Sequence, residues 1–334
     1  MVLDQRAAEL VAPLDLLPPV DFCCVYGSSL LPNNNDKTSM VDYILGVADP
    51  IQWHSENLER NRHHYSKWMA RLGPKAINCV ADGIGVGVHF NPFVVWRDKM
   101  IKYGVVRMHD LAMDILTWDR FYLSGRLHKP VQVLIDNWDI QKVNLINLKA
   151  ATSASLLLLP AKFSEEDLYA KICSLSYMGD LRMLFAEDKN KVKNIVRGSF
   201  TLFQSMYKPL VQEYAAEGLL KIPSDSHIDQ YEQDCGLSAT SYHFFSLPST
   251  IQDCLDMKLK TDTSEMLASV EIVKPHTTIA SREVAARCLT KALRHVVMAS
   301  SARQAISGLV ATGGVNATRY FARKLCKAWK SRTS

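Results

Sequence analysis

Apolar positions in the first part of the chain come in short runs, and beyond Asn144 they come in long runs with helical spacing. Residues 20–26 form an apolar run, interrupted only at Asp21, that ends at Gly27-Ser28-Ser29, which predicts a buried strand and a tight turn. A loop rich in turn residues follows over 32–37, and 40–47 predicts a second strand closed by Asp49-Pro50. Residues 1–18 predict a short amphipathic lead-in ending at Pro18-Pro19. The spacing over 52–72 predicts one helix, and 79–106 is strand-like, punctuated by Gly83, Gly85, Gly87, Asn91-Pro92 and Asp98. A helix over 110–121 and a strand over 131–135 complete a mixed first part.

From Asn144 the pattern turns helical. Residues 145–159 predict an apolar helix stopped by Pro160, and Ser164 with Glu165, Glu166 and Asp167 predicts a capped start for a helix over 168–178. Another helix is expected over 192–214, and 222–263 is polar and irregular. These breaks divide the chain into an α+β domain (1–143), a helical domain (144–221), an irregular linker region (222–280) and a basic tail (281–334).

Composition sharpens this picture only locally. With 48% apolar and 22% charged residues, the chain reads as globular, neither disordered nor fibrous. The net charge of +5 hides an asymmetry. Beyond Glu283 there are ten Lys and Arg and no Asp or Glu, whereas the rest holds 29 Lys and Arg against 34 Asp and Glu. A basic tail on a slightly acidic body implies a polyanionic partner. The eight cysteines show neither a CxxC pair nor zinc-ligand spacing, and read as free buried thiols. Asp4 and Glu9 in a weakly apolar start speak against a secretory signal or an Arg-rich transit peptide, and the uncharged stretch 304–318 is too short to span a membrane.

Candidate chemistry lies in the first two strands. Tyr26-Gly27-Ser28-Ser29 ends one strand, and Asp42 stands inside the other among Val41, Tyr43, Ile44 and Leu45. A Gly-Ser turn lets backbone and hydroxyl groups approach phosphates, and a carboxylate on the adjacent strand can hold Mg²⁺ against a nucleoside triphosphate. The alternative is a plain turn beside one strand-edge acid. Asp42 in an apolar strand argues against that alternative, because an unpaired carboxylate there is costly and a metal or a cation would resolve it.

Several further stretches carry a resemblance. Tyr26-Gly27-Ser28, Asp42 in Met-Val-Asp-Tyr-Ile-Leu-Gly-Val, Trp53-His54-Ser55-x-Asn57 and Asn61-x-x-His64-Tyr65-Ser66 open the series. Lys102-Tyr103-Gly104-Val105, Tyr122-x-x-Gly125-Arg126-Leu127-x-Lys129-Pro130, Ser176-Tyr177-Met178-Gly179-Asp180-x-Arg182-Met183 and Glu187-Asp188-x-x-Lys191-Val192 continue it. In this order, over roughly residues 20–200, the chain resembles the mitochondrial phosphatidate cytidylyltransferases. The resemblance implies a polymerase-β-like nucleotidyltransferase domain followed by a mainly helical, winged-helix-like domain. It also implies conversion of CTP and phosphatidate to CDP-diacylglycerol and pyrophosphate with Mg²⁺, by a peripheral protein on the matrix side of the mitochondrial inner membrane.

On that resemblance Asp42, Lys102 and Arg126 are the catalytic candidates. Tyr26, Gly27, Ser28, Ser29, His54, Tyr65 and Lys129 are the candidates for holding the nucleotide. Ile44 stands where the wider superfamily carries a second acid, so a second metal-binding carboxylate is expected elsewhere: Asp136 first, then Asp180 and Asp49. The helical spacing of His54, Asn57, Asn61, His64 and Tyr65 fits either a polar wall for substrate or a hydrogen-bonded interior face, and the resemblance favours the wall for His54 and Tyr65.

In the tail, Phe321, Leu325, Ala328 and Trp329 share one helical face, opposite Arg319, Arg323, Lys327 and Lys330. That segregation predicts an amphipathic helix on an anionic membrane rather than a nucleic-acid arm. Two rival functions remain open at this point: nucleotidyl transfer to RNA or a soluble acceptor, and a non-catalytic membrane adaptor, for which Ile44 is the best argument.

Overall fold

The computed structural model describes residues 2–30, 40–180, 190–223, 230–253 and 281–313. The amphipathic segment 319–330 therefore lies outside the described residues.

A five-stranded mixed sheet forms the first unit, in the order β3-β4-β2-β1-β5. Its strands are β1 (Phe22–Tyr26), β2 (Val41–Val47), β3 (Val88–Trp96), β4 (Lys99–Arg107) and β5 (Gln132–Asp136). β1 runs antiparallel to β2 and β5, while β2 and β4 are parallel. Side chains alternate across this sheet. Cys24, Tyr26 and Ile44 face a core closed by α5 (Met108–Thr117) and α6 (Ser124–Leu127), and Val25, Tyr43 and Tyr103 face a core closed by α1 (Val2–Val11) and α2 (Pro50–Arg60).

The expected helix over 52–72 is broken. α2 stops at Arg60 because the Asn61 side chain donates to Leu16 O at 2.7 Å and to Asn57 Oδ1 at 2.9 Å, holding its own backbone out of the helix. A 3-10 turn (Arg62–His64) and α3 (Lys67–Leu72) follow. The strand-like stretch from Cys79 begins as helix: α4 (Pro74–Cys79) runs into a π-turn (Val80–Ile84). The glycines that suggested strand punctuation lie at the end of that turn, where the Arg303 guanidinium donates to Gly85 O at 2.9 Å and to Ile84 O at 3.3 Å.

α7 (Ile140–Leu158) crosses the expected boundary at 143/144 and carries the chain into the second unit. There α8 (Glu165–Leu175) starts at a reciprocal cap between Ser164 and Asp167, as the sequence predicts. α9 (Lys191–Gly198) and α10 (Phe200–Ala216) pack with it around Tyr169, Phe203 and Tyr207. The region expected to be an irregular linker contributes structure: β8 (Tyr231–Gln233) pairs with β6 (Lys162–Phe163) and β7 (Leu220–Lys221), and α11 (Leu237–Phe245) buries Phe244. Among the described cysteines, Cys23, Cys24, Cys173 and Cys288 are buried free thiols, but Cys79 and Cys235 are exposed.

The start of the basic tail is a 31-residue helix, α12 (Arg282–Thr312), that straps both units together. Leu289, Leu293 and Val297 enter the second core, Gln304 reaches Val88 O at 3.4 Å, and Ser66 Oγ donates to Ala311 O at 2.6 Å. A second junction forms where α6 meets the end of α8. A Cβ added at Gly125 would lie 2.6 Å from Ser176 Cβ, so only glycine allows this approach.

Candidate active site

β1 delivers Tyr26 into Gly27, whose φ of +97° suits glycine alone. A Cβ there would lie 3.1 Å from Asp42 Oδ2, so the turn backbone lies against that carboxylate. A single 3-10 turn, Ser28–Leu30, follows, closed by Leu30 N to Gly27 O at 3.2 Å. The Ser28 side chain lies outside the described set, and the Ser29 hydroxyl is buried with no hydrogen-bond partner among the described residues.

Strand register aligns the remaining groups. Tyr26 pairs with Asp42, and Asp42 with Lys102, so all three project on one face. Lys102 Nζ lies 3.3 Å from Asp42 Oδ1 and 4.4 Å above the Phe90 ring. This ion pair answers the cost of a carboxylate in an apolar strand. Arg126, on α6, stacks its guanidinium 4.7 Å from the Tyr26 ring centre and 4.5 Å from that of Tyr122. Burial pushes the Tyr26 phenol up to about 12 against the pull of Arg126 and Lys102, so it stays a neutral hydroxyl, and that hydroxyl has no partner among the described residues. One carboxylate, two cations, a phenol and a glycine turn thus share one corner. Gly27→Ala is expected to lose about 1–2 kcal/mol through the positive φ and to cut turnover at least ~100-fold by displacing the carboxylate. Urea unfolding and steady-state kinetics check the two effects.

Lys129 lies one helical turn beyond Gly125. Its ammonium donates to Gly125 O at 2.8 Å and to Ser176 Oγ at 2.7 Å, and lies 4.7 Å from the Tyr177 ring centre. One of its three protons bonds back within the first unit and one ties that unit to the second.

Asp114 positions the segment that carries Arg126. Its buried carboxylate accepts from the backbone N–H of Arg120, Tyr122, Leu123 and Ser124 at 2.7–3.1 Å. Burial raises the Asp114 carboxyl above its ordinary range, and those N–H donors pull in the opposite direction.

Three expectations are corrected. Asp136 pairs in register with Phe22, at the far end of β1 from Tyr26, roughly 13 Å along the strand. Its carboxylate caps α7, accepting from Ile140 N at 2.7 Å and Gln141 N at 3.0 Å, and the fold does not bring it to Asp42. Asp49 likewise caps α2 through Ile51 N and Gln52 N.

His54 and Tyr65 lie on the opposite face of the sheet from Asp42. They belong to a buried network in which Tyr65 Oη meets His54 Nδ1 and Asn57 Nδ2, each at 2.8 Å, and Asn57 and His64 reach the Tyr103 hydroxyl. The interior-face reading holds for these side chains. The reason is period two: Tyr103 follows Lys102 and faces away from it.

Burial lowers His54, and it takes His64 and His89 down to about 4. The unfolded chain takes up protons near 6.5, so stability is full above that pH and falls as pH drops from 6.5 through 4. His89 alone contributes about 3 kcal/mol of that loss at pH 4. Urea midpoints measured between pH 7 and pH 4 check this, and His89→Asn should flatten the slope.

The fit to Mg²⁺ rests on Asp42. Among the described residues no three His, Cys, Asp or Glu side chains gather into a metal cage. Mg²⁺ in nucleotide sites takes one or two carboxylates and completes its shell with phosphate oxygens and water. A single carboxylate against a glycine turn suits that mode.

Beyond Arg126 a cavity of about 80 Å³ opens between the two units. Lys129, Ser176, Tyr177 and Lys191 line it together with Ser300 and Ser301 of α12. The expected site did not include the α12 residues. The signal for them was a pair of serines at helical spacing from Val297 and Gln304, which marks a polar break in a buried face.

The profile of the family described as "Phosphatidate cytidylyltransferase, mitochondrial" matches residues 10–327. A Danio rerio protein of that name is 34% identical over 326 residues, covering 93% of this chain and 92% of the relative. The Schizosaccharomyces pombe protein of that name is 32% identical, covering 94% and 81%. A Caenorhabditis elegans protein of the same name is 30% identical, covering 97% and 98%.

Proposed function

The chain belongs to the family of mitochondrial phosphatidate cytidylyltransferases, and from that premise we propose that it transfers the cytidylyl group of CTP to phosphatidate, giving CDP-diacylglycerol and pyrophosphate. The observation that carries this reading is the corner where Gly27, Asp42, Lys102 and Arg126 meet. The sheet with its glycine turn is read as a polymerase-β-like nucleotidyltransferase domain, and the helical unit with its small sheet as a winged-helix-like domain. Every relative described above carries the name of a lipid cytidylyltransferase. That separates this reading from transfer to RNA and from a non-catalytic adaptor.

In the reaction an oxygen of the phosphatidate phosphate forms a bond to the α-phosphorus of CTP. The bond from that phosphorus to the bridging oxygen breaks, and pyrophosphate leaves with the electron pair. The acceptor is already anionic, so no strong base has to remove a proton. The work of the chain is to bring two polyanions together and hold them in line. Backbone N–H groups of the Gly27 turn donate to phosphate oxygens, Lys102 and Arg126 neutralise charge on the transferring group, and the Tyr26 hydroxyl donates within the same corner. Bound Mg²⁺, held by Asp42, would neutralise the triphosphate and its leaving group. Lys102 shares Asp42 at 3.3 Å and orients the carboxylate.

Peripheral binding through the basic segment 319–330, on the matrix side of the mitochondrial inner membrane, belongs to the same proposal. Among the described residues no helix is long and apolar enough to cross a membrane. The test is product analysis with CTP labelled at the α-phosphate, Mg²⁺, phosphatidate vesicles and RNA. Label in CDP-diacylglycerol with equimolar pyrophosphate is expected. Label in RNA, or none in either, contradicts the proposal.

A further inference from the structure

Where the first unit meets the end of α12, its surface carries charge of one sign. Between Glu59 and Asp82 the sequence holds five Lys and Arg and no Asp or Glu. Arg60 pairs with Glu56, and the Arg62 guanidinium donates to Ala70 O at 2.9 Å. Lys67, Arg71 and Lys75, on α3 and α4, are exposed and form no ion pair among the described residues. Asp82, the acid that ends the run, is held by Asn78 at 2.8 Å and by Arg107 at 3.5 Å. The neighbouring helix α12 carries no acid beyond Glu283.

The same surface exposes large apolar side chains. Trp68 and Leu72 lie one turn apart on α3 and are 38% and 57% exposed. Ile306 and Leu309 on α12 are both more than half exposed. With Gly313 they stand at i, i+3 and i+7, so they share one side of that helix. A Cβ added at Gly313 would lie 3.5 Å from Trp68 Nε1, so the α12 stripe runs into Trp68. The two helices are fastened there, because Ser66, which precedes α3, donates its hydroxyl to Ala311 O at 2.6 Å.

An indole and three aliphatic side chains beside unpaired cations mark a surface made for a partner. An anionic bilayer meets every part of it. Headgroups take the cations, the indole sits at the boundary, and the aliphatic groups enter the acyl layer. RNA would match the cations but leave Leu72, Ile306 and Leu309 in water. A second copy related by a two-fold axis would set Lys67, Arg71 and Lys75 against their own like charges. The path of the chain agrees with a bilayer. The described residues end at Gly313, beside Trp68, and the sequence beyond alternates Phe321, Leu325 and Trp329 with Arg319, Arg323 and Lys327.

We propose that the surface formed by α3 and the end of α12 docks on an anionic lipid bilayer, as a membrane contact of the folded body in addition to the basic segment 319–330. The inference goes beyond the tail, and it rests on the cytidylyl-transfer reading only for the need to work on a lipid acceptor. A tail alone tethers the chain, whereas two linked contacts strengthen each other and fix how the sheet faces the bilayer.

The test uses the full chain and its sedimentation with phosphatidylcholine vesicles that contain phosphatidylglycerol. One variant, Lys67→Gln with Arg71→Gln and Lys75→Gln, removes charge. The other, Trp68→Ser with Leu72→Ser, removes apolar area. Each is expected to weaken vesicle binding at least ~10-fold. Turnover on dispersed dioctanoyl phosphatidate should stay within twofold, because none of these residues belongs to the Asp42 corner, while turnover on phosphatidate in vesicles falls with binding. Vesicle binding within twofold of wild type for both variants overturns the proposal. So does a loss of self-association in sedimentation velocity, or of binding to single-stranded RNA, with vesicle binding unchanged. If the Trp68 and Leu72 variant fails to fold, the charge variant decides alone. If the wild-type chain forms no CDP-diacylglycerol, the transfer reading fails by itself, and vesicle sedimentation still decides the docking surface.

Discussion

Asp42→Asn is expected to reduce CDP-diacylglycerol formation at least ~1,000-fold while leaving the melting temperature within a few degrees. The substitution keeps the size of the side chain and its place between Tyr26 and Lys102. It removes the negative charge that pairs with Lys102 at 3.3 Å. It also removes the carboxylate that lies against the Gly27 turn, and with it the proposed anchor for a divalent cation. The loss of stability should be small because the pair is partly exposed, with side-chain exposures of 18% and 26%, and such pairs contribute about 1 kcal/mol or less. The loss should appear mainly in kcat, since the carboxylate acts on charge that develops at the transferring phosphate. Activity within tenfold of wild type would place the metal and the reacting phosphate elsewhere.

Asp114→Ala is expected to destabilise the fold by about 4 kcal/mol. Four backbone N–H groups between Arg120 and Ser124 converge on this carboxylate, and the Ser124 hydroxyl lies 3.4 Å away. The residue is 5% exposed, so little water replaces the lost acceptor. Each buried N–H left unsatisfied costs about 1–3 kcal/mol, and partial rescue by relaxation and water keeps the total near the lower end of the sum. The same segment carries Tyr122 and leads directly into Arg126, so surviving activity should fall with stability. Urea unfolding checks the magnitude, and a change under 1 kcal/mol would mean that the 120–124 segment holds its shape without Asp114.

The sequence made the corner legible because its determinants are local. A glycine at the end of an apolar run and an acid inside the next one are visible in any reading of the chain. Lys102 was legible as a cation but not as the partner of Asp42, because the parallel register of β2 and β4 is set by a crossover and leaves no local trace. His54 and Tyr65 were misplaced for a related reason. Their helical spacing puts polar groups on one face, but which face of the sheet that helix covers is decided by tertiary packing. Asp136 at a strand end resembles a ligand position, yet the adjacent start of α7 claims its carboxylate for a cap. The long helix Arg282–Thr312 was hidden by its charge. A run of ten cations without acids beyond Glu283 suggests a tail for a polyanionic partner, whereas Leu289, Leu293 and Val297 form a buried stripe among the first of those cations. Ser300 and Ser301 reach the cavity from more than 170 positions beyond Arg126, and no spacing rule links such distant groups.

The most direct test is a crystal structure of the chain with Mg²⁺ and a CTP analogue whose α–β bridging oxygen is replaced by methylene. The expected result is a triphosphate lying on the Gly27 turn, a metal bound to Asp42, and an α-phosphorus that faces Lys102 and Arg126. A triphosphate bound on the His54 and Tyr65 face, or a metal held without Asp42, would contradict the assignment.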